Sequence, residues 1–150
     1  MKNKAIAVAL ALITAGAAGA TSAKEITLRL SHWLPPQHPI AEQALKPWTD
    51  SITEASGGKI QFQIFPAAQI GKAEDHYDMA RDGVVDVAWL NPGFNPGRFS
   101  IFGAIQIPVT VADGYGGIHA MNEWYREYAP LEMKDVKFCL GHLLSPNALH

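Results

Sequence analysis

Residues 59–91 read KIQFQIFPAAQIGKAEDHYDMARDGVVDVAWLN, and their patterning decides the fold. Ile60, Phe62 and Ile64 alternate with Gln61 and Gln63, the period of a strand, and Pro66 ends it. After Gln69-Ile70-Gly71 a helix is expected from about Ala73 to Asp82, with Tyr77 and Ala80 on one face with Ala73 and Gly83 as its stop. Glu74, Asp75 and Asp78 fall early in that helix, where the dipole favours acidic groups. Val84 to Trp89 is β-branched and nearly continuous in hydrophobicity, so it reads as a central strand buried on both faces. Asp86 interrupts it, and a buried carboxylate needs partners; it reads as structural, accepting backbone N–H groups from a neighbouring turn. Strand, helix and strand at this spacing make a βαβ unit, hence a parallel sheet with ligand-facing loops at the carboxyl ends of its strands. Trp89 and Asn91, followed by Pro92 and Gly93, gather at the second such end. The unit carries no catalytic device and reads as a place where something is held.

Upstream, Ile26, Leu28 and Leu30 alternate with polar residues in a first strand that Pro35-Pro36 ends. His32 and Trp33 sit at its carboxyl end, either facing a ligand or, for Trp33, plugging the top of the core beside an ordinary loop histidine. His38-Pro39 opens a helix with Ile40, Ala44, Trp48 and Ile52 along one stripe; Pro47 is expected to kink or split it, and Ser56-Gly57-Gly58 to close it. Downstream, residues 91–103 are rich in turn formers, and Ile105 to Val109 is a short apolar segment. Asp113 is placed to cap a helix over about Gly116 to Tyr128, with Ile118, Met121, Trp124, Tyr125 and Tyr128 on its apolar side and Pro130 ending it. Val136 to Leu144 reads as a further strand in which Cys139, the sole cysteine, is an inert buried thiol. His76 and His119 have no metal-ligand spacing around them and are expected to be exposed. Alternating strands and helices mean an α/β fold.

The first 23 residues stand apart. Lys2 and Lys4 precede the apolar run Ala5 to Ala18, and small residues ending at Ala23 offer a cleavage site, the layout of a secretory signal peptide; a retained anchor is the alternative. Residues 24–150 then form the mature part. Twelve Lys/Arg against fourteen Asp/Glu give a formal charge of −2, which becomes −4 once Lys2 and Lys4 are removed. No basic run is present, which argues against nucleic acid, and no second apolar stretch reaches membrane-spanning length. HExxH, GxSxG, GxGxxG and the GxxxxGK[ST] phosphate loop are all missing, so neither an enzyme nor a cofactor is expected. An exported chain without a disulfide suits a bacterial periplasm.

Several short matches in order resemble the periplasmic solute-binding proteins of TRAP transporters, of the dicarboxylate-binding DctP type. They are Leu28-Arg29-Leu30-Ser31-His32, His38-Pro39, Ser56-Gly57-Gly58-Lys59-Ile60, Phe65-Pro66, Gln69-Ile70-Gly71 with Gly83 and Asp86, Gly97-Arg98-Phe99 and Ile107-Pro108. The resemblance implies the first lobe of a two-lobed, type II periplasmic-binding-protein-like α/β protein, a mostly parallel sheet flanked by helices, with the chain truncated before the second lobe. It implies capture of a carboxylate-bearing organic acid and delivery to TRAP membrane permease subunits driven by an ion gradient; a binding protein of another import system or an extracytoplasmic sensor is the alternative. It places ligand contacts at His32, Trp33, Trp89 and Asn91, with Glu74 a weaker candidate. The family's anchoring arginine belongs to the second lobe, and none of Arg29, Arg81, Arg98 and Arg126 occupies its motif, so the 150-residue chain is expected to bind weakly or not at all. Trp33 and Trp89 favour a bulky or aromatic acid.

Overall fold

A computed structural model describes residues 24–106 and 114–143. The readings of residues 1–23, of Ile107-Pro108, of Asp113 and of Ser145-Pro146-Asn147 fall outside them. β1 (Ile26–Ser31) lies between β2 (Ile60–Phe65) and β3 (Val87–Ala88), parallel to both. The β1–β2 ladder runs in register from Ile26 opposite Ile60 to Ser31 opposite Phe65, so the apolar residues of both strands share a face. The βαβ unit of residues 59–91 therefore exists, with β1 inserted between its two strands.

Between β1 and β2 the helix is split as the position of Pro47 demands. Ala41–Leu45 form a π turn that runs into α1 (Lys46–Ala55), with Pro47 in the first turn of α1. A proline there has no N–H to give and its ring crowds the preceding turn, and the wider π turn accommodates both. The extra residue rotates the buried stripe: Ala41 and Thr49 are buried while Ala44 is exposed. Gly57 and Gly58 close the helix at φ of 61° and 80°, with Gly58 N donating to Thr53 O at 2.8 Å.

Downstream of β2, a 3₁₀ turn (Ala73–Asp75) leads into α2 (His76–Arg81), stopped by Gly83 at φ 70°. The third strand departs from expectation. β3 has two residues and Val84 is 47% exposed, although Val85 is buried. The cause is Asp86, which is solvent-exposed and makes its bonds with β1: its Oδ2 accepts the Arg29 N–H at 2.8 Å and the Arg29 Nε at 3.0 Å. A side chain thus takes a donor that a partner strand's carbonyl would have taken. Backbone bonds from Asp86 N to Arg29 O and from Trp89 N to Ser31 O keep the segment alongside.

The second half packs on α4 (Gly114–Glu132). Tyr77, Phe99, Phe102, Ile105, Met121, Tyr125, Ala129 and Met133 form one buried cluster. Its centre is Tyr125, fully buried, with Phe102 and Phe138 edge-on at 4.9 and 4.8 Å. Glu132 joins α4 to α3 (Ser100–Gly103): it accepts the Tyr125 hydroxyl of its own helix at 2.6 Å and caps α3 through the N–H groups of Ile101 and Phe102. Those contacts explain why Pro130 lies inside the helix instead of ending it. A proline one turn from the C-terminus forfeits one bond, whereas burying Ala129 and Met133 and seating Glu132 require the last turn.

Among the described residues, 136–143 form no strand. They run along α4, where Asn122 exchanges two bonds with Gly141 at 2.6 and 2.8 Å and Arg126 donates to the Cys139 carbonyl. Polar side chains of a helix satisfy this backbone in place of a ladder. Cys139 is consequently exposed, not buried, and Trp124, expected on the apolar side of α4, is 37% exposed.

Candidate functional site

The carboxyl ends of β1 and β3 meet under a layer of aromatic rings. At β2's end, Ala67 and Ala68 both adopt left-handed backbone, φ 54° and 55°, without being glycine. This conformation is costly for a residue with a Cβ, and it turns two N–H groups onto the first loop: Ala67 N donates to Leu34 O at 2.9 Å and Ala68 N to His32 O at 3.1 Å. With His32 N donating to Phe65 O, the segment His32–Leu34 is pinned to the strand ends.

The rings follow from that placement. Trp33 lies 5.2 Å from Trp89 in a tilted pair and 5.4 Å from Phe94 edge-on. His32 is 5.7 Å from Trp89, and His76 approaches Trp33 edge-on at 6.3 Å. The Trp89 indole N–H donates to His142 Nε2 at 3.1 Å. Below the layer Ser31 Oγ and His76 Nδ1 are 2.9 Å apart, both residues fully buried. Burial holds the His32 and His76 imidazoles below the ordinary histidine pKa, and for His32 the neighbouring His76 adds to the effect.

Asn91 works locally. Its Oδ1 accepts the Gly93 N–H at 2.9 Å, capping the 3₁₀ turn Pro92–Phe94 that presents Phe94, which is 41% exposed. The same loop is fastened further on to α2 and to the 3₁₀ turn before it. Asn95 Nδ2 donates to the Glu74 carbonyl, and Arg98 lies over the Tyr77 ring while forming a two-pronged pair with Asp78 at 2.8 and 2.9 Å. That pair lowers the Asp78 pKa and raises that of Arg98.

Of the residues singled out by sequence, the structure brings His32, Trp33 and Trp89 into ring contact and sets Asn91 beside them as a turn cap. Glu74 has an exposed side chain and meets the loop through its carbonyl. Ser31, His76, Phe94 and His142 are additions. His76, expected to be exposed, is fully buried with Ser31 of β1 as its partner, and no pattern within α2 signals that. His142 gave no signal, because its segment read as a strand.

Chemically this is an apolar, aromatic wall backed by neutral imidazoles. All four arginines already have partners: Arg29 with Asp86, Arg81 with Asp82, Arg98 with Asp78 and Arg126 with the Cys139 carbonyl. The wall suits the face of a ring, and among the described residues no arginine is left without a partner to meet an anion. Among the described residues, no group of three or more His, Cys, Asp or Glu is placed to hold a metal ion, and no helix is long and apolar enough to cross a membrane.

Comparison with known proteins locates this architecture. A family model described as "Bacterial extracellular solute-binding protein, family 7" (DctP) matches residues 30–115. A TRAP solute-binding protein from Rhodoferax ferrireducens, solved with copurified benzoate, is 34% identical with a TM-score of 0.69, over 73% of this chain and 34% of that one. A marine-metagenome TRAP protein, described as specific for aromatic acid ligands and solved with 3-hydroxybenzoate, is 32% identical with a TM-score of 0.71, over 75% and 36%. A TRAP protein from Bordetella bronchiseptica bound to (R)- and (S)-mandelate is 30% identical with a TM-score of 0.67, again over 75% and 36%. This chain thus spans about a third of the length of each. With a family match over more than half its residues and the same parallel α/β lobe, the chain belongs to the DctP family of bacterial extracellular solute-binding proteins.

Proposed function

We propose that this chain is the first lobe of a TRAP-type solute-binding protein that captures an aromatic carboxylate outside the cytoplasm and passes it to a membrane permease. The observation that carries this reading is the Trp33, Trp89 and Phe94 wall at the strand ends, in a chain 30–34% identical to proteins solved with benzoate, hydroxybenzoate and mandelate. A ring laid against such a wall gains its apolar burial plus about 0.5–1.5 kcal/mol for each well-oriented aromatic pair. A small dicarboxylate gains neither.

In this reading Trp33 and Trp89 contact the ligand ring, His32 and Asn91 border it, and Glu74 lies at the rim. Residues 1–23 are the export signal, and residues 24–150 belong to one lobe whose counterpart supplies the cation that pairs with the carboxylate. The role is binding and release without chemistry, with the periplasm as its place of work. The test is a ligand panel followed by calorimetry and intrinsic tryptophan fluorescence: benzoate, 3-hydroxybenzoate and mandelate against succinate and malate. Heat and fluorescence changes with the aromatic acids alone support the proposal; preferential binding of succinate or malate overturns it.

A further inference from the structure

Two buried polar atoms beneath the wall have no hydrogen-bond partner, His32 Nδ1 and His76 Nε2. His32 is 2% and His76 0% exposed, and each supports one indole: His32 against Trp89, His76 against Trp33. The geometry points to His76 as a positioning residue that, through Ser31 and the edge of Trp33, keeps the aromatic wall arranged for a ligand while its imidazole is neutral, and that loosens the wall when it is protonated. For its effect on binding this rests on the aromatic-carboxylate reading above.

Donors and acceptors around the imidazole set the preference for its neutral form. Ser31 Oγ serves either neutral tautomer of His76, because the hydroxyl rotates to give or take the proton at Nδ1. Neutral His76 therefore leaves one nitrogen unserved. Protonated His76 donates at Nδ1, has no protein acceptor for its Nε2 donor, and carries a charge on a side chain that is fully buried. The charged and titratable groups around it do little to help. On α2, the Asp75 carboxylate favours the charged form but is solvent-exposed and accepts from the Lys72 N–H. From β1's end the facing group is His32, a second cation in the making; His142 of the last segment is held to Trp89. The turn at Ala67 and Ala68 contributes backbone N–H groups directed at the carbonyls of residues 34 and 32. Burial outweighs Asp75 and lowers the His76 pKa, in agreement with the geometry.

The experiment follows the indole N–H resonances and near-ultraviolet circular dichroism of the ligand-free chain between about pH 7.5 and 5. The expected result is a reversible change in the Trp33 signal whose midpoint matches the titration of the His76 ring protons. In His76→Asn, which keeps an amide at the position facing Ser31 but cannot titrate, the loss of the ring edge displaces the Trp33 signal at neutral pH and the pH transition disappears. His76→Ala displaces the spectrum at every pH. His32→Asn and His142→Gln retain the Trp33 transition. A Trp33 signal flat across this range, a midpoint unlike that of His76, or a transition surviving in His76→Asn overturns the proposal; the wild-type midpoint comparison decides even if a variant fails to fold. Where 3-hydroxybenzoate binds, its apparent Kd rises through the same transition by up to about tenfold per pH unit, the slope of one linked proton. If no aromatic acid binds while the ligand-free transition behaves as stated, the functional reading fails and the positioning role stands.

Discussion

Ser31→Ala removes a single oxygen, and its effect follows from the hydrogen-bond inventory beneath the wall. Ser31 Oγ is the partner of His76 Nδ1, while His76 Nε2 has none. Both residues are fully buried. The substitution strands a whole imidazole, which costs about 1–3 kcal/mol, while the lost volume is too small to leave a cavity that matters. His76→Leu strands the Ser31 hydroxyl instead and forfeits the edge contact with Trp33, worth about 0.5–1.5 kcal/mol. Combining the two leaves neither polar group without a partner. The double variant is therefore more stable than the sum of the single effects predicts, with a coupling of about 1–2 kcal/mol. Urea unfolding followed by tryptophan fluorescence measures this: with m of about 1–3 kcal/mol per molar, a 2 kcal/mol loss moves the midpoint by about 1 M. A Ser31→Ala variant within about 0.5 kcal/mol of the parent, or strict additivity in the cycle, refutes the reasoning.

Glu132→Ala uncaps α3 at about 1 kcal/mol and leaves the buried Tyr125 hydroxyl alone at about 1–3 kcal/mol more, so calorimetry should record a total loss of about 2–4 kcal/mol. Asp86→Asn keeps an acceptor for the Arg29 N–H and Asp86→Ala does not, so faster exchange of the Arg29 amide in the alanine variant than in the asparagine one is expected. The histidines set the pH dependence near neutrality. His32 and His76 have folded pKa values below the unfolded 6.5, so the unfolded chain binds more protons just below that pH. Stability is full above pH 6.5 and falls as pH drops toward the folded values, which denaturation at about pH 7.5 and 5.5 will show. The carboxylates of Asp78 and Asp86 are depressed by Arg98 and Arg29, so their contribution holds above the ordinary 3.8 and is lost as pH falls through their folded values.

Features that depend on the chain's own local chemistry were legible in the sequence. The alternation of residues 60–64 gave β2, Gly57-Gly58 and Gly83 marked left-handed helix ends, and Pro47 announced the split that the π turn carries out. The gathering of His32, Trp33 and Trp89 at one end of the sheet was legible because strand ends in a parallel sheet converge, whereas their part in binding is what the family resemblance implies. What failed depended on partners distant in sequence. Asp86 reads as a buried group because its neighbours are β-branched, yet Arg29, 57 residues upstream, draws it to the surface. The apolar run 136–143 has the period of a strand, and only the Asn122 amide, 19 residues earlier, shows where its backbone bonds go. His76 looked like a polar residue on a short helix; its burial needs Ser31 on β1, and no local pattern in α2 contains that information.

Trp33 and Trp89 lie 5.2 Å apart and, in the function proposed, form a wall for an aromatic ring. A titration of the labelled chain with 3-hydroxybenzoate and, separately, succinate, followed through the indole N–H resonances at millimolar ligand, reads it directly even where affinity is low. The expected result is saturable shifts of the Trp33 and Trp89 signals with 3-hydroxybenzoate, little change in Trp48 and Trp124, and none of these shifts with succinate. Equal shifts with both acids, or shifts confined to Trp48 and Trp124, would contradict it.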